Sequence, residues 1–200
     1  MPYEELDSDT RCFTLVGQFL WHWAYLEASI NDAIATALEL GHPQRYIVTK
    51  NIQFRDKIKT LKASVAVASS LSDEERRMHK RTLNKISDYA AKRNIIAHDM
   101  FGPDDDTDSV MFLRTVASDR FELPVDLWST DDFVAAFTDL DNFRDQVTAL
   151  EESLKTANNF KRIAQALVGK ETGIEALFSY DSMDAPDFPV EPNSDRDPDP

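Results

Sequence analysis

The sequence predicts an all-α protein, an antiparallel bundle of four to five helices carrying a small β-hairpin insertion and an acidic C-terminal tail. Four long segments repeat apolar residues at three-four spacing, the period that lines one face of a helix. Only five glycines occur in 200 residues, and 42% of the chain is hydrophobic, enough to fill a helical core. The joints between those segments are short and carry turn or capping residues, as bundle connections do.

The first helix is expected over about 10–40, with Phe13, Val16, Leu20, Trp23, Ile30, Ile34 and Ala37 on its inward face. Gly41 supplies a stop, and Pro43 suits the start of the next segment. A second helix, about 51–69, has Phe54, Ile58, Leu61, Val65 and Ala68 as its stripe. Ser72 and Glu75 have capping-box spacing and open a third helix that runs to His98, with Leu83, Ile86, Ala90 and Ala97 inward.

Gly102-Pro103 and the acidic cluster Asp104, Asp105, Asp106 and Asp108 then interrupt the helical pattern. Within about 109–125, Val110, Phe112 and Val116, followed by Phe121 and Leu123, read as two short strands around a turn at Ser118-Asp119. A last long helix opens near Thr130-Asp131-Asp132, whose oxygens suit an N-terminus. Its stripe is Phe133, Phe137, Leu140, Phe143, Val147, Leu150 and Leu154. One domain is expected over 1–170. The tail, 171–200, is rich in Asp and Pro and is expected to be largely disordered.

The net charge of −14 is unevenly spread. Residues 42–98 hold thirteen bases and five acids (+8), while 1–41 carry −6, 99–170 carry −8 and 171–200 carry −8. A basic block inside an acidic protein is a local field that guides polyanions, although Lys57, Lys59, Lys62, Arg76, Arg77, Lys80 and Arg81 equally suit solvated helix faces. The −8 tail could serve as an RNA mimic that screens those helices. A single cysteine, Cys12, leaves no internal disulfide and suits a reducing compartment. The acidic MPYEELDSDTR start lacks the apolar segment of a signal peptide, and no apolar run reaches the about 20 residues of a membrane span. A cytoplasmic protein with no membrane partner is expected.

Two charges fall on inward stripes. Glu27 lies seven residues from both Leu20 and Ile34, and Arg93 lies between Ala90 and Ala97. A core-facing charge needs a partner, so the two are expected to pair, directly or through a small network. Such a pair by itself does no more than fix helix register. Asn94 and His98, four apart and beside Arg93, add chemistry: a fixed cation, an amide and a titratable imidazole at the end of one helix. That set suits cleavage of a phosphodiester without metal.

The hexapeptide Arg93-Asn94-Ile95-Ile96-Ala97-His98 resembles the R-x4–6-H motif of HEPN domains, including the polar residue after the arginine. The long aromatic first helix with its WAYLEASIN segment and the basic second helix are similar as well, over roughly 10–165. The resemblance implies a helical bundle that dimerises so that two motifs line one cleft. It also implies a metal-independent endoribonuclease in a toxin, phage-defence or RNA-surveillance role. RNA (tRNA or mRNA) would be the substrate, an antitoxin or regulatory protein a further partner, and no cofactor or metal would be needed. Under that resemblance His98 handles the proton of the 2′-hydroxyl or leaving oxygen, Arg93 stabilises the phosphorane-like transition state, and Asn94 orients phosphate or imidazole. Glu27, added from the stripe, would support Arg93. Met100 stands where adenylylated toxins of this kind carry tyrosine. Some HEPN domains bind a protein or nucleotide and cut nothing, and that alternative stays open.

Other patterns carry less. His98-Asp99 lacks the further spaced histidines of metal phosphohydrolases. Glu75 and His79 are expected on a solvated face, Cys12 in the core, and Trp21, Trp23 and Tyr25 in bundle packing rather than base stacking. No glycine loop is present to cradle a nucleotide's phosphates.

Overall fold

The computed structural model describes residues 3–172 apart from 70, 105, 115 and 118–120. Met1–Arg162 form one compact unit, and Ile163 begins a second whose described residues, to Thr172, are helical. The tail from 173 onward, with its expected disorder and screening role, lies outside the described residues.

After a 3-10 turn at Tyr3–Glu5 come five helices: α1 (Ser8–Ala37), α2 (His42–Lys50), α3 (Phe54–Val67), α4 (Asp73–His98) and α5 (Thr130–Thr172). Asp7 starts α1 by accepting the Thr10 amide. The buried stripe of α1 is Cys12, Leu15, Val16, Phe19, Trp23, Leu26, Ile30, Ala33 and Ile34. The expected stripe is therefore displaced at its start. Phe13 is 64% exposed and only leans its ring edge on Phe101, because the helix rotates Cys12 inward instead.

The chain leaves α1 through Glu39, whose φ of 52° is the left-handed conformation that closes a helix end. Gly41, expected as that stop, is instead the extended N-cap of α2. Sequence periodicity passes over α2 because only Thr49 among its nine residues is buried. Its presence changes the architecture. Trp23 meets Phe54 and Glu27 meets Lys57, so α1 and α3 run parallel, not antiparallel as a direct connection would require. Consecutive helices alternate in direction, with α2 as the short return.

Ser72 and Glu75 make the full capping box of α4, each side chain meeting the other's backbone. Ser129 and Asp132 repeat the device at α5, where hydrogen bonds from Ser129 hold the Asp132 carboxyl below its usual range. All seven apolar residues expected on the face of α5 are buried. Tyr89 of α4 meets Phe143, and Thr82 bonds Gln146, which fixes α5 antiparallel to α4.

Between α4 and α5 the single hairpin becomes a three-stranded antiparallel sheet, β1 (Met100–Pro103), β2 (Val110–Leu113) and β5 (Val125–Trp128), in the order β1-β2-β5. A two-stranded ribbon, β3 (Val116–Ala117) with β4 (Phe121–Glu122), extends from its tip. The expected turn at Ser118-Asp119 falls outside the described residues. Gly102 and Pro103, expected only as breakers, sit in β1, an edge strand, where a proline without an N–H is tolerated. Central β2 alternates, and Val110 and Phe112 face the core. Phe112 packs against Phe101, Trp128 and Phe133, so the sheet closes the end of the bundle at which α4 stops. Among the described residues no helix is long and apolar enough to cross a membrane.

Candidate functional site at the end of the fourth helix

The last two turns of α4 carry the hexapeptide. Ile96 is fully buried and anchors the turn, while Asn94 and His98 face solvent and Arg93 is half-buried. The helix ends because Asp99 adopts an extended conformation that leads directly into β1, its N–H still bonded to the Ile95 carbonyl. His98 is therefore the final helical residue, fixed from one side by the helix and from the other by the sheet.

The structure brings Arg93, Asn94 and His98 together. Arg93 Nη1 donates to Asn94 Oδ1 at 3.3 Å and lies 3.2 Å from His98 Nε2. A guanidinium can only donate, so this contact is a hydrogen bond in the tautomer that carries its proton on Nδ1 and turns the Nε2 lone pair to Arg93. That is the form of histidine able to accept a proton at Nε2. No carboxylate lies within ion-pair distance of Arg93 among the described residues, and its Nε is buried without a hydrogen-bond partner.

Glu27 does not pair with Arg93. It accepts a 2.7 Å hydrogen bond from Lys57 Nζ instead. Lys57 is 4% exposed, so its ammonium has left water and the carboxylate on the facing helix compensates it. Lys57, read as part of either a polyanion-guiding field or a solvated face, belongs to neither. The signal for burial is present in the sequence: it lies three residues after Phe54 and four before Leu61, on the inward stripe of α3. Glu27 still shares a cleft with the motif. An open cavity of about 500 Å³ is lined by Trp23, Glu27, Phe54, Ser87, Arg93 and Asn94, with Gln53 and Arg55 at its rim.

Two other expectations change in the structure. His79 is 3% exposed rather than solvated, while Glu75 stays exposed and takes its expected place in the capping box. Trp23 is core, but Trp21 and Tyr25 are about half exposed and lean on each other, with centroids 4.4 Å apart. His22 sits 3.0 Å from Asp141 and stacks on Phe137. Cys12 is buried as expected.

Neither protein-family models nor curated proteins nor solved structures give a significant match to this chain.

Proposed function

We propose that the chain is a metal-independent endoribonuclease of HEPN type that cuts RNA at the Arg93-Asn94-His98 site. The observation that carries this reading is the contact of Arg93 Nη1 with both His98 Nε2 and Asn94 Oδ1, the arginine and the asparagine lining an open cleft. A fixed cation, a neutral amide and a proton-accepting imidazole within one hydrogen-bonded set are what transesterification of RNA requires.

In the proposed reaction the scissile phosphate takes the place of Nε2 on the guanidinium. That frees His98 to remove the proton of the ribose 2′-hydroxyl. The 2′-oxygen bonds to phosphorus, the bond to the 5′-oxygen breaks, and a 2′,3′-cyclic phosphate remains. The departing 5′-oxygen receives a proton from an imidazolium. The imidazole of a second copy is the natural donor in a homodimer with two motifs across one cleft. Arg93 stabilises the charge that builds on the equatorial oxygens, and Asn94 holds Arg93 in register. A toxin, phage-defence or RNA-surveillance role in the cytoplasm, with an antitoxin or regulatory protein as partner, is the setting that this chemistry suits.

Incubation with total RNA and tRNA in excess EDTA tests the reading. Cleavage by the wild type, leaving cyclic-phosphate ends, and none by His98→Ala or Arg93→Ala of equal thermal stability, is the expected result. Cleavage by all three would place the activity elsewhere.

A second reading, a non-catalytic module that binds a protein or nucleotide, is favoured by the same bond seen from the other side. Arg93 occupies the Nε2 lone pair that a base must offer. Absence of cleavage by the wild type under every RNA tested would select it.

A further inference from the structure

The α3–α4 hairpin carries most of the cations that have no carboxylate within ion-pair distance among the described residues, Lys50 of α2 and Lys161 of α5 being others. Arg11, Arg45, Arg114, Arg144, Lys155 and Arg162 each lie within ion-pair distance of a carboxylate. Lys62, Arg77, Lys80, Arg81, Lys85, Lys92 and Arg93 lie within that distance of none among the described residues, and all seven are on α3 or α4. In a chain of net charge −14, cations held apart from the abundant carboxylates mark a surface suited to an anionic partner.

Their placement is directional. Eighteen residues make about five whole helical turns, so Asn94 stands over Arg76 and His98 over Lys80 on one face of α4. Ser87 and Ala91 occupy the same face between them, small and uncharged, while Asp88 is turned aside. On α3, Arg55, Lys59 and Lys62 follow a four-three spacing and form the opposite wall. Lys59 is engaged by Asp56, and Arg76 by Asp73. The two helices run antiparallel, joined by the short link before Ser72. Their groove therefore begins in a basic cleft of about 340 Å³ lined by Lys62, Asp73, Arg76, Arg77 and Lys80. It ends in the motif cleft lined by Arg55, Arg93 and Asn94. Lys80 and Asn94 are fourteen residues apart on one helix, which is about 21 Å along its axis. Arg81 and Lys85 are turned to the other flank of α4, into a separate cleft with Gln146.

We infer that the α3–α4 groove is a track for single-stranded RNA, entered at Lys62 and Lys80 and leading the backbone to His98. The inference rests on the nuclease reading of the motif for its destination and on the charge geometry for its path. The Asp73 and Glu27 carboxylates of the two clefts are held by Arg76 and Lys57. Spaced point cations over the uncharged Ser87 and Ala91 suit a flexible phosphate chain, which each lysine or arginine contacts without reading sequence.

The test is binding of a fluorescein-labelled, uncleavable 2′-O-methyl RNA of about twelve nucleotides to the full chain, across a salt series. Two charge-matched double variants are compared with wild type: Lys62→Gln with Lys80→Gln in the groove, and Arg81→Gln with Lys85→Gln on the opposite flank. Glutamine keeps a polar side chain of similar girth, and equal thermal midpoints confirm folding. Loss of affinity of about tenfold or more for the groove pair, with the log–log salt slope shallower by about 1.4, is the expected result. The flank pair should change affinity by less than about threefold. Equal losses in the two pairs, or none in either, would overturn the track. Cleavage of a dinucleotide, too short to reach Lys62, separates this outcome from the nuclease reading. A wild type that cuts the dinucleotide while the groove pair binds normally keeps the nuclease and loses the track. A wild type that cuts nothing but needs Lys62 and Lys80 to bind keeps the track and loses the nuclease.

Discussion

Glu27 on α1 receives the Lys57 ammonium of α3 at 2.7 Å, and Lys57 is the more deeply buried of the two. The acid that the stripe of α1 directs inward is thus committed to holding two parallel helices in register. Arg93, across the same cleft, has no carboxylate within ion-pair distance among the described residues and turns to Asn94 and His98 instead. Removing the acid leaves a desolvated cation, which is costlier than losing an attraction.

Glu27→Ala should therefore destabilise the fold by about 2–3 kcal/mol, somewhat below the range for a fully buried pair because Glu27 is partly exposed. Glu27→Gln, which retains an oxygen for the ammonium, should cost less than half of that. Urea unfolding of the three proteins measures both, and equal midpoints for all three would remove the ion pair from the stability of the fold.

His79 predicts a pH dependence of stability. Burial pushes its imidazole below the ordinary value of 6.5, only partly opposed by Glu75. Below that value the unfolded chain takes up a proton that the folded chain resists, so unfolding gains. The stability that comes from keeping His79 neutral is fully present above about pH 6.5 and is lost as the pH falls towards the folded value. The urea midpoint of the wild type should fall between about pH 7.5 and pH 5.5, and His79→Leu should flatten that decline. A decline of the same size in the variant would assign it to other groups.

Ser72 and Glu75 satisfy two amide donors at the start of α4 together. Ser72→Ala should cost about 1 kcal/mol, and adding Glu75→Ala should cost less than the sum of the two singles, since each change breaks the same reciprocal box. Strict additivity in a double-mutant cycle of unfolding free energies would contradict that.

Arg93→Lys keeps the charge but replaces a planar fork by one ammonium. A single point donor lacks the guanidinium's fixed geometry for holding Asn94, His98 and a phosphate together. On the proposed nuclease reading, RNA cleavage in EDTA should drop by about two to three orders of magnitude with the thermal midpoint little changed. Retained cleavage would show that positive charge alone suffices.

Much of this molecule is legible from residue order because its long helices are strongly periodic. The stripe of α5 is buried residue for residue, and the Ser72–Glu75 box forms as its spacing dictates. The motif, too, is visible, since its members are close in sequence and a helix end brings them together without help from the rest of the chain. Three kinds of feature escape such a reading. A helix with one buried residue, α2, has no periodic signature, and missing it reverses the relative direction of α1 and α3. Gly102-Pro103 punctuates a helix but does not forbid an edge strand, so β1 is hidden behind its own breakers. The partner of Glu27 is misassigned because two basic residues, Lys57 and Arg93, both fall on inward stripes. Charge and periodicity alone do not rank them; only the helix directions do.

The exposure of Asn94 and His98 has an evolutionary consequence. Neither side chain supports the core, so replacing either should cost about 0.5 kcal/mol or less. Descendants of this chain can therefore lose Asn94 or His98 through one codon and keep a folded protein with its basic helices intact. Such variants would keep whatever the rest of the surface binds, and the reverse change would restore the exposed pair just as readily. A helix end whose exposed residues carry no folding burden is one at which they can be lost and regained repeatedly.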